Sequence, residues 1–99
     1  EKALYLTGLV YIKLKEWDMA IKRLVKAFSI DRNNEKIAYN ISCCYFGRGD
    51  MESGLRWLKR AIQINKPFIV SRALQDSDLS EIRKNKSFIK LIREATSEE

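Results

Sequence analysis

Apolar positions recur along this chain at helical spacing, in segments separated by short polar breaks. Residues 2–14 place Leu4, Leu6 or Thr7, Gly8, Tyr11 and Leu14 on one face, and residues 18–30 do the same with Ile21, Leu24, Val25, Ala27 and Phe28. The polar stretch Lys15-Glu16-Trp17-Asp18 separates them and reads as a turn. A second pair is predicted over Glu35–Phe46 and Met51–Ile64, with Asp31-Arg32-Asn33-Asn34 before it and Gly47-Arg48-Gly49-Asp50 between its helices. Both pairs follow the helical period, so the chain is expected to be all-α.

The two pairs are copies of one another. Displacing the sequence by 34 positions superimposes Glu1 on Glu35, Lys2 on Lys36, Tyr5 on Tyr39, Tyr11 on Tyr45, Leu24 on Leu58, Ala27 on Ala61 and Ile30 on Ile64. Small residues coincide as well, Gly8 with Ser42 and Ala20 with Gly54. Such a period is the mark of a repeat architecture, in which each unit buries its apolar face only against a neighbour.

The break between the second pair contains Arg48-Gly49-Asp50, the tripeptide that adhesion receptors read on exposed loops. Helix punctuation explains it without a receptor. Gly47 and Gly49 can take the left-handed conformation that ends a helix, and Asp50 stands where an N-cap carboxylate accepts backbone N–H bonds of the next one.

With these residues in place the chain resembles the tetratricopeptide repeat family, whose 34-residue pattern runs W-x2-L-G-x2-Y, then A-x3-F, then A, then P. Leu4, Thr7, Gly8, Tyr11, Ala20, Leu24, Ala27 and Arg32 hold those places in the first unit, and Ala38, Ile41, Ser42, Tyr45, Gly54, Leu58, Ala61 and Lys66 in the second. No Trp starts either unit, and the usual Pro is Arg32 in one and shifts to Pro67 in the other. The resemblance implies an α-solenoid of antiparallel helix pairs forming a right-handed superhelix. It divides a single domain into a first repeat at 1–34, a second at 35–67 and a C-terminal cap at 68–96. Gly8 and Ala20, like Ser42 and Gly54, are expected to face each other so that paired helices approach closely, with Tyr11 and Tyr45 beside them.

Residues 68–96 depart from the period, although Phe68–Leu74 could begin a third unit. The stretch Ala73–Ala95 resembles the ending of some bacterial arrays of the family. Asp78 and Glu81 have capping-box spacing, which predicts a short helix over 79–84 followed by a last one over 87–95. Ile69, Leu74, Leu79, Ile82, Phe88, Leu91 and Ile92 are the candidates to cover the open apolar face, with Trp57 beneath them, and Thr96–Glu99 reads as a frayed acidic tail.

Composition adds limits. Apolar residues are 45% and charged residues 32%, the balance of a folded domain and too apolar for disorder. The longest uncharged apolar run, Ala3–Ile12, falls well short of the roughly 20 residues of a membrane span, and no leader pattern is present, so a soluble, cytoplasmic protein is expected. The chain opens at Glu1 within an amphipathic pattern, which reads as a piece of something longer. His is absent and the two cysteines are adjacent, Cys43 and Cys44, so no metal or other cofactor is expected and both read as small buried hydrophobes. Without His, and without a nucleophile motif or a Gly-rich phosphate loop, the chain is not expected to be an enzyme.

Two surfaces remain. The resemblance places first helices on the concave side, where Lys2, Tyr5, Leu9, Ile12, Lys13, Lys36, Tyr39, Asn40, Cys43 and Phe46 form a groove-facing set of aromatic and aliphatic side chains flanked by lysines. Tyr5 and Tyr39 are expected to stand exposed as a ladder there. This suits a protein partner's peptide with apolar anchors and acidic groups. Some members of the family hold a chaperone's carboxylate tail, but the matching places here are Tyr5, Leu9, Asn40, Val70 and Leu74, and only Asn40 fits that clamp.

The second helices carry Lys22, Arg23, Lys26, Arg56, Lys59 and Arg60 at the repeat period, within a net charge of +6. They form an expected convex basic stripe, without interleaved aromatics. A second reading is therefore an electrostatic adaptor for nucleic acid, anionic membrane or an acidic protein, with nucleic acid and membrane the less favoured partners. Self-assembly through open repeat edges is a third.

Overall fold

The computed structural model describes residues 2–97, which form helices and short helical turns with no strand among them. α1 (Lys2–Lys13) and α2 (Trp17–Ile30) make the first hairpin, and α3 (Glu35–Arg48) and α4 (Met51–Ile64) make the second. α5 (Lys66–Gln75) follows directly, then two 3-10 turns, Ser77–Leu79 and Ile82–Lys84, and finally α6 (Lys86–Thr96). Short links, residues 14–16 in the first hairpin and 49–50 in the second, force the paired helices to lie antiparallel, and α2 packs on both α1 and α3, joining the hairpins.

Side-chain caps fix where α3, α4, α5 and α6 start. Asn34 accepts from the N–H groups of Lys36 and Ile37, Asp50 from Ser53, Asn65 from Phe68, and Asn85 from Ser87 and Phe88. The Ser53 N–H holds the Asp50 carboxyl below its usual range. Gly49 ends α3 with φ +91°, and Pro67 sits in the first turn of α5, where a missing N–H costs nothing. Gly47 is not a helix stop: it lies inside α3, which runs two residues beyond the expected Phe46. Its role is clearance. A Cβ there would stand 2.7 Å from the Trp17 ring.

The core explains the repeat. Ala20, Leu24 and Ala27 of α2 and Leu58 and Ala61 of α4 are fully buried, at matching repeat positions. Gly54 lets Phe46 approach, since a Cβ would meet that ring at 2.4 Å, and its carbonyl accepts from the Ser42 hydroxyl at 2.7 Å. Ser42 and Gly54 therefore meet as expected. Gly8 makes room for Leu24, which a Cβ would meet at 2.7 Å. α3 buries Ile37, Ala38, Tyr39, Asn40, Ile41, Ser42, Cys44 and Phe46, nearly its whole circumference. That is the signature of an internal helix rather than an amphipathic surface one.

The C-terminal segment differs from expectation in detail. Residues 79–84 do not make one helix capped by Asp78. Asp76 caps instead, accepting from the Asp78 N–H, and the segment breaks into the two 3-10 turns, whose tighter bonding suits short connectors. The Arg83 guanidinium donates to the carbonyls of Ala73 and Asp76, satisfying the end of α5. Ile69, Leu79 and Phe88 are buried, whereas Leu74 is 48% exposed. Trp57 does not lie beneath this cap. It meets Phe28 of α2 edge-on, with ring centroids 5.3 Å apart. Of the expected acidic tail, Glu98 and Glu99 lie outside the described residues, as does Glu1.

Candidate functional site

α1, α3 and α5 share one side of the molecule, and between them lies a trough of about 760 Å³. Leu9, Ile12 and Lys13 of α1 form one wall, continued by Lys15 and Trp17. Asn40, Cys43, Phe46 and Gly47 of α3 form the floor, and Arg72, Asp78, Leu79, Glu81 and Ile82 form the opposite wall. Lys13 and Lys15 thus face Asp78 and Glu81 across an apolar floor. Lys15 adopts φ +58°, a left-handed conformation in the turn that brings Trp17 back onto α3.

Of the residues expected to face a groove, Leu9, Ile12, Lys13, Asn40, Cys43 and Phe46 line this trough, and Lys2, Tyr5, Lys36 and Tyr39 do not. Lys2 is exposed near the start of α1, and the Lys36 ammonium lies 5.9 Å from the centre of the Phe68 ring. Tyr39 corrects the expectation most sharply. It is fully buried, its hydroxyl donates to the Asp76 carboxylate at 2.7 Å, and the Arg72 guanidinium covers its ring at 4.7 Å. Tyr5 is half-buried and its hydroxyl accepts from the Asn40 amide at 3.2 Å, so no exposed tyrosine ladder forms. The departure has a simple cause: the chain's own segment after α5 lies where the open end of the groove would be, and a carboxylate on it takes the tyrosine.

Burial, with Cys43 and Asp76 nearby, holds the Tyr39 phenol protonated far above its usual range, so it acts as a donor. Burial pushes both the Cys43 and Cys44 thiols up to about 12, which leaves them protonated and unreactive at neutral pH. No cluster of potential metal ligands exists among the described residues, and none of their helices is long and apolar enough to cross a membrane.

The wall formed by Arg72, Asp78, Leu79, Glu81 and Ile82 escaped sequence reasoning because it lies beyond the repeat period. Trp17 escaped it for a different reason: a Trp inside a polar turn reads as part of the turn. Its partner, Gly47, was the available signal, a glycine without a turn to make.

On the opposite side the expected basic stripe divides. Arg56 and Arg60 lean toward α2, while Lys59 lines a cleft against α6. Two of these cations cover aromatic rings: Arg23 lies over Tyr11 at 5.9 Å and Arg60 over Phe28 at 5.7 Å.

Comparison with curated proteins gives no match. A family model described as tetratricopeptide repeat matches residues 1–34 and again 35–68, in register with the two hairpins. With more than half its length accounted for by two tandem copies, the chain belongs to the tetratricopeptide repeat family.

Proposed function

We propose that this protein is a non-catalytic interaction module that seats a partner's peptide in the trough between α1, α3 and the segment after α5. Repeats of the family are generally protein–protein interaction modules. The observation that carries the finer reading is the trough itself: an apolar floor of Cys43 and Phe46, walled by Leu9 and Ile12, with Lys13 and Lys15 on one side and Asp78 and Glu81 beside Arg72 on the other. Such a surface takes apolar anchors on the floor. It orients the chain by placing an acidic group toward Lys13 and Lys15 and a basic one toward Asp78 and Glu81. The carboxylate wall changes the partner expected from sequence, from acidic alone to mixed in charge. Tyr39 supports the site from beneath rather than touching the partner.

Selection of displayed peptides against the folded protein, followed by amide chemical-shift mapping, tests this. Shifts are expected at Leu9, Ile12, Asn40, Cys43 and Arg72, with Lys13→Glu plus Lys15→Glu weakening capture at unchanged helicity. No shift at these residues with any selected peptide would reject the groove.

A further inference from the structure

On the face away from the trough, α2 and α4 enclose a second cleft, of about 420 Å³. Its floor is the Phe28–Trp57 pair, and its rim carries Arg32, Arg56 and Arg60 with Ser29. Among the described residues no carboxylate lines it. Arg56 has a carboxylate only outside the cleft, Glu52 at 3.5 Å, with both side chains largely exposed, a contact that water or a ligand exchanges at little cost. Arg60 rests over the Phe28 ring, and Arg32 is exposed in the turn that follows α2. Three guanidiniums around a partly open indole make a site that is electrostatically unbalanced and apolar at its base.

We propose that this cleft is a second recognition site, independent of the trough, for an acidic peptide segment in which one large apolar side chain is flanked by carboxylates. The apolar side chain sits against Trp57, and the planar guanidiniums fork onto the carboxylates, a geometry lysines do not reproduce. Single-stranded nucleic acid fits less well. It is held by successive stacking rings along a track, whereas here Phe28 is 8% exposed and Trp57 is fixed edge-on to it, leaving one ring for one anchor.

Fluorescence anisotropy tests the assignment with a labelled peptide of glutamates around one central leucine. The comparison ligands are the same peptide with central glycine, labelled oligothymidylate and phosphatidylserine vesicles. The leucine peptide is expected to bind. Arg32→Glu plus Arg60→Glu should weaken it at least about tenfold. Lys22→Glu plus Lys26→Glu, the same charge change on exposed residues outside the cleft, should weaken it by less than about threefold. Circular dichroism checks that both variants fold, and Arg32→Ala plus Arg60→Ala replaces the reversal if it does not. Equal losses in both pairs, equal binding of the glycine peptide, tighter binding of oligothymidylate or vesicles, or no binding of the leucine peptide would each overturn the proposal.

Discussion

Replacing Tyr39 with Phe removes one oxygen atom and isolates the contact that joins the second repeat to the segment behind α5. The hydroxyl donates to a carboxylate at 2.7 Å, and Asp76 uses its other oxygen to accept from the Asp78 N–H at 2.9 Å. A hydrogen bond to a charged group contributes about 1.5–3 kcal/mol. Asp76 is half-buried, so water can reach the vacated oxygen, which places the expected loss near the lower bound, about 1.5 kcal/mol. For a domain of this size that corresponds to a fall in Tm of roughly 6–12 °C. Tyr5→Phe is the comparator, because its contact with Asn40 is neutral and longer, at 3.2 Å, and should contribute only about 0.5 kcal/mol. Urea unfolding measures both, and a cycle with Asp76→Ala measures the coupling. If Tyr39→Phe costs as much in the Asp76→Ala background as in the wild type, the hydroxyl and the carboxylate are not coupled and the account of the closed groove end fails.

Gly54→Ala should destabilise by about 1 kcal/mol, because overpacking against Phe46 outweighs the gain in helix propensity; a more stable variant by urea unfolding would show that the ring yields freely. Gly49→Ala should also cost about 1 kcal/mol although a Cβ there has open space, since the cost is the left-handed backbone alone; an unchanged midpoint would refute that. Stability should fall as pH rises from about 9 toward 12. Below that window both thiols are protonated in either state, whereas within it the unfolded chain releases protons that the folded chain retains at Cys43 and Cys44. Each thiol contributes about 1.4 kcal/mol per pH unit, so Cys44→Ala should flatten the decline in thermal melts; a parallel decline would rule out Cys44 as a source.

The helices were legible because their chemistry is local. The cap at Asp50 declares itself within one turn of chain, and the matched Leu24 and Leu58 and the small pair Ser42 and Gly54 declare themselves through the repeat period. The trough was half legible, through Leu9, Ile12 and Cys43, since a repeated helix face implies a repeated surface. Tyr39 was misplaced for the same reason. Its copy, Tyr5, has the same spacing, but burial is decided by Asp76, which is 37 positions away and outside the period. Long-range partners at the end of an array leave no periodic trace. The convex rings were hidden likewise, because Phe28 and Trp57 meet only once α2 and α4 are stacked.

α3 serves two masters at once: Ile37, Ile41 and Cys44 hold the interior while Asn40, Cys43 and Phe46 floor the trough. A substitution on the floor therefore also taxes the fold, and on the proposed reading selection for a new partner would have little freedom there. Diversification is left to the walls, where Leu9, Lys13, Asp78 and Glu81 can change with small consequence for the interior, so lineages descended from this sequence should keep the central helix and vary its flanks.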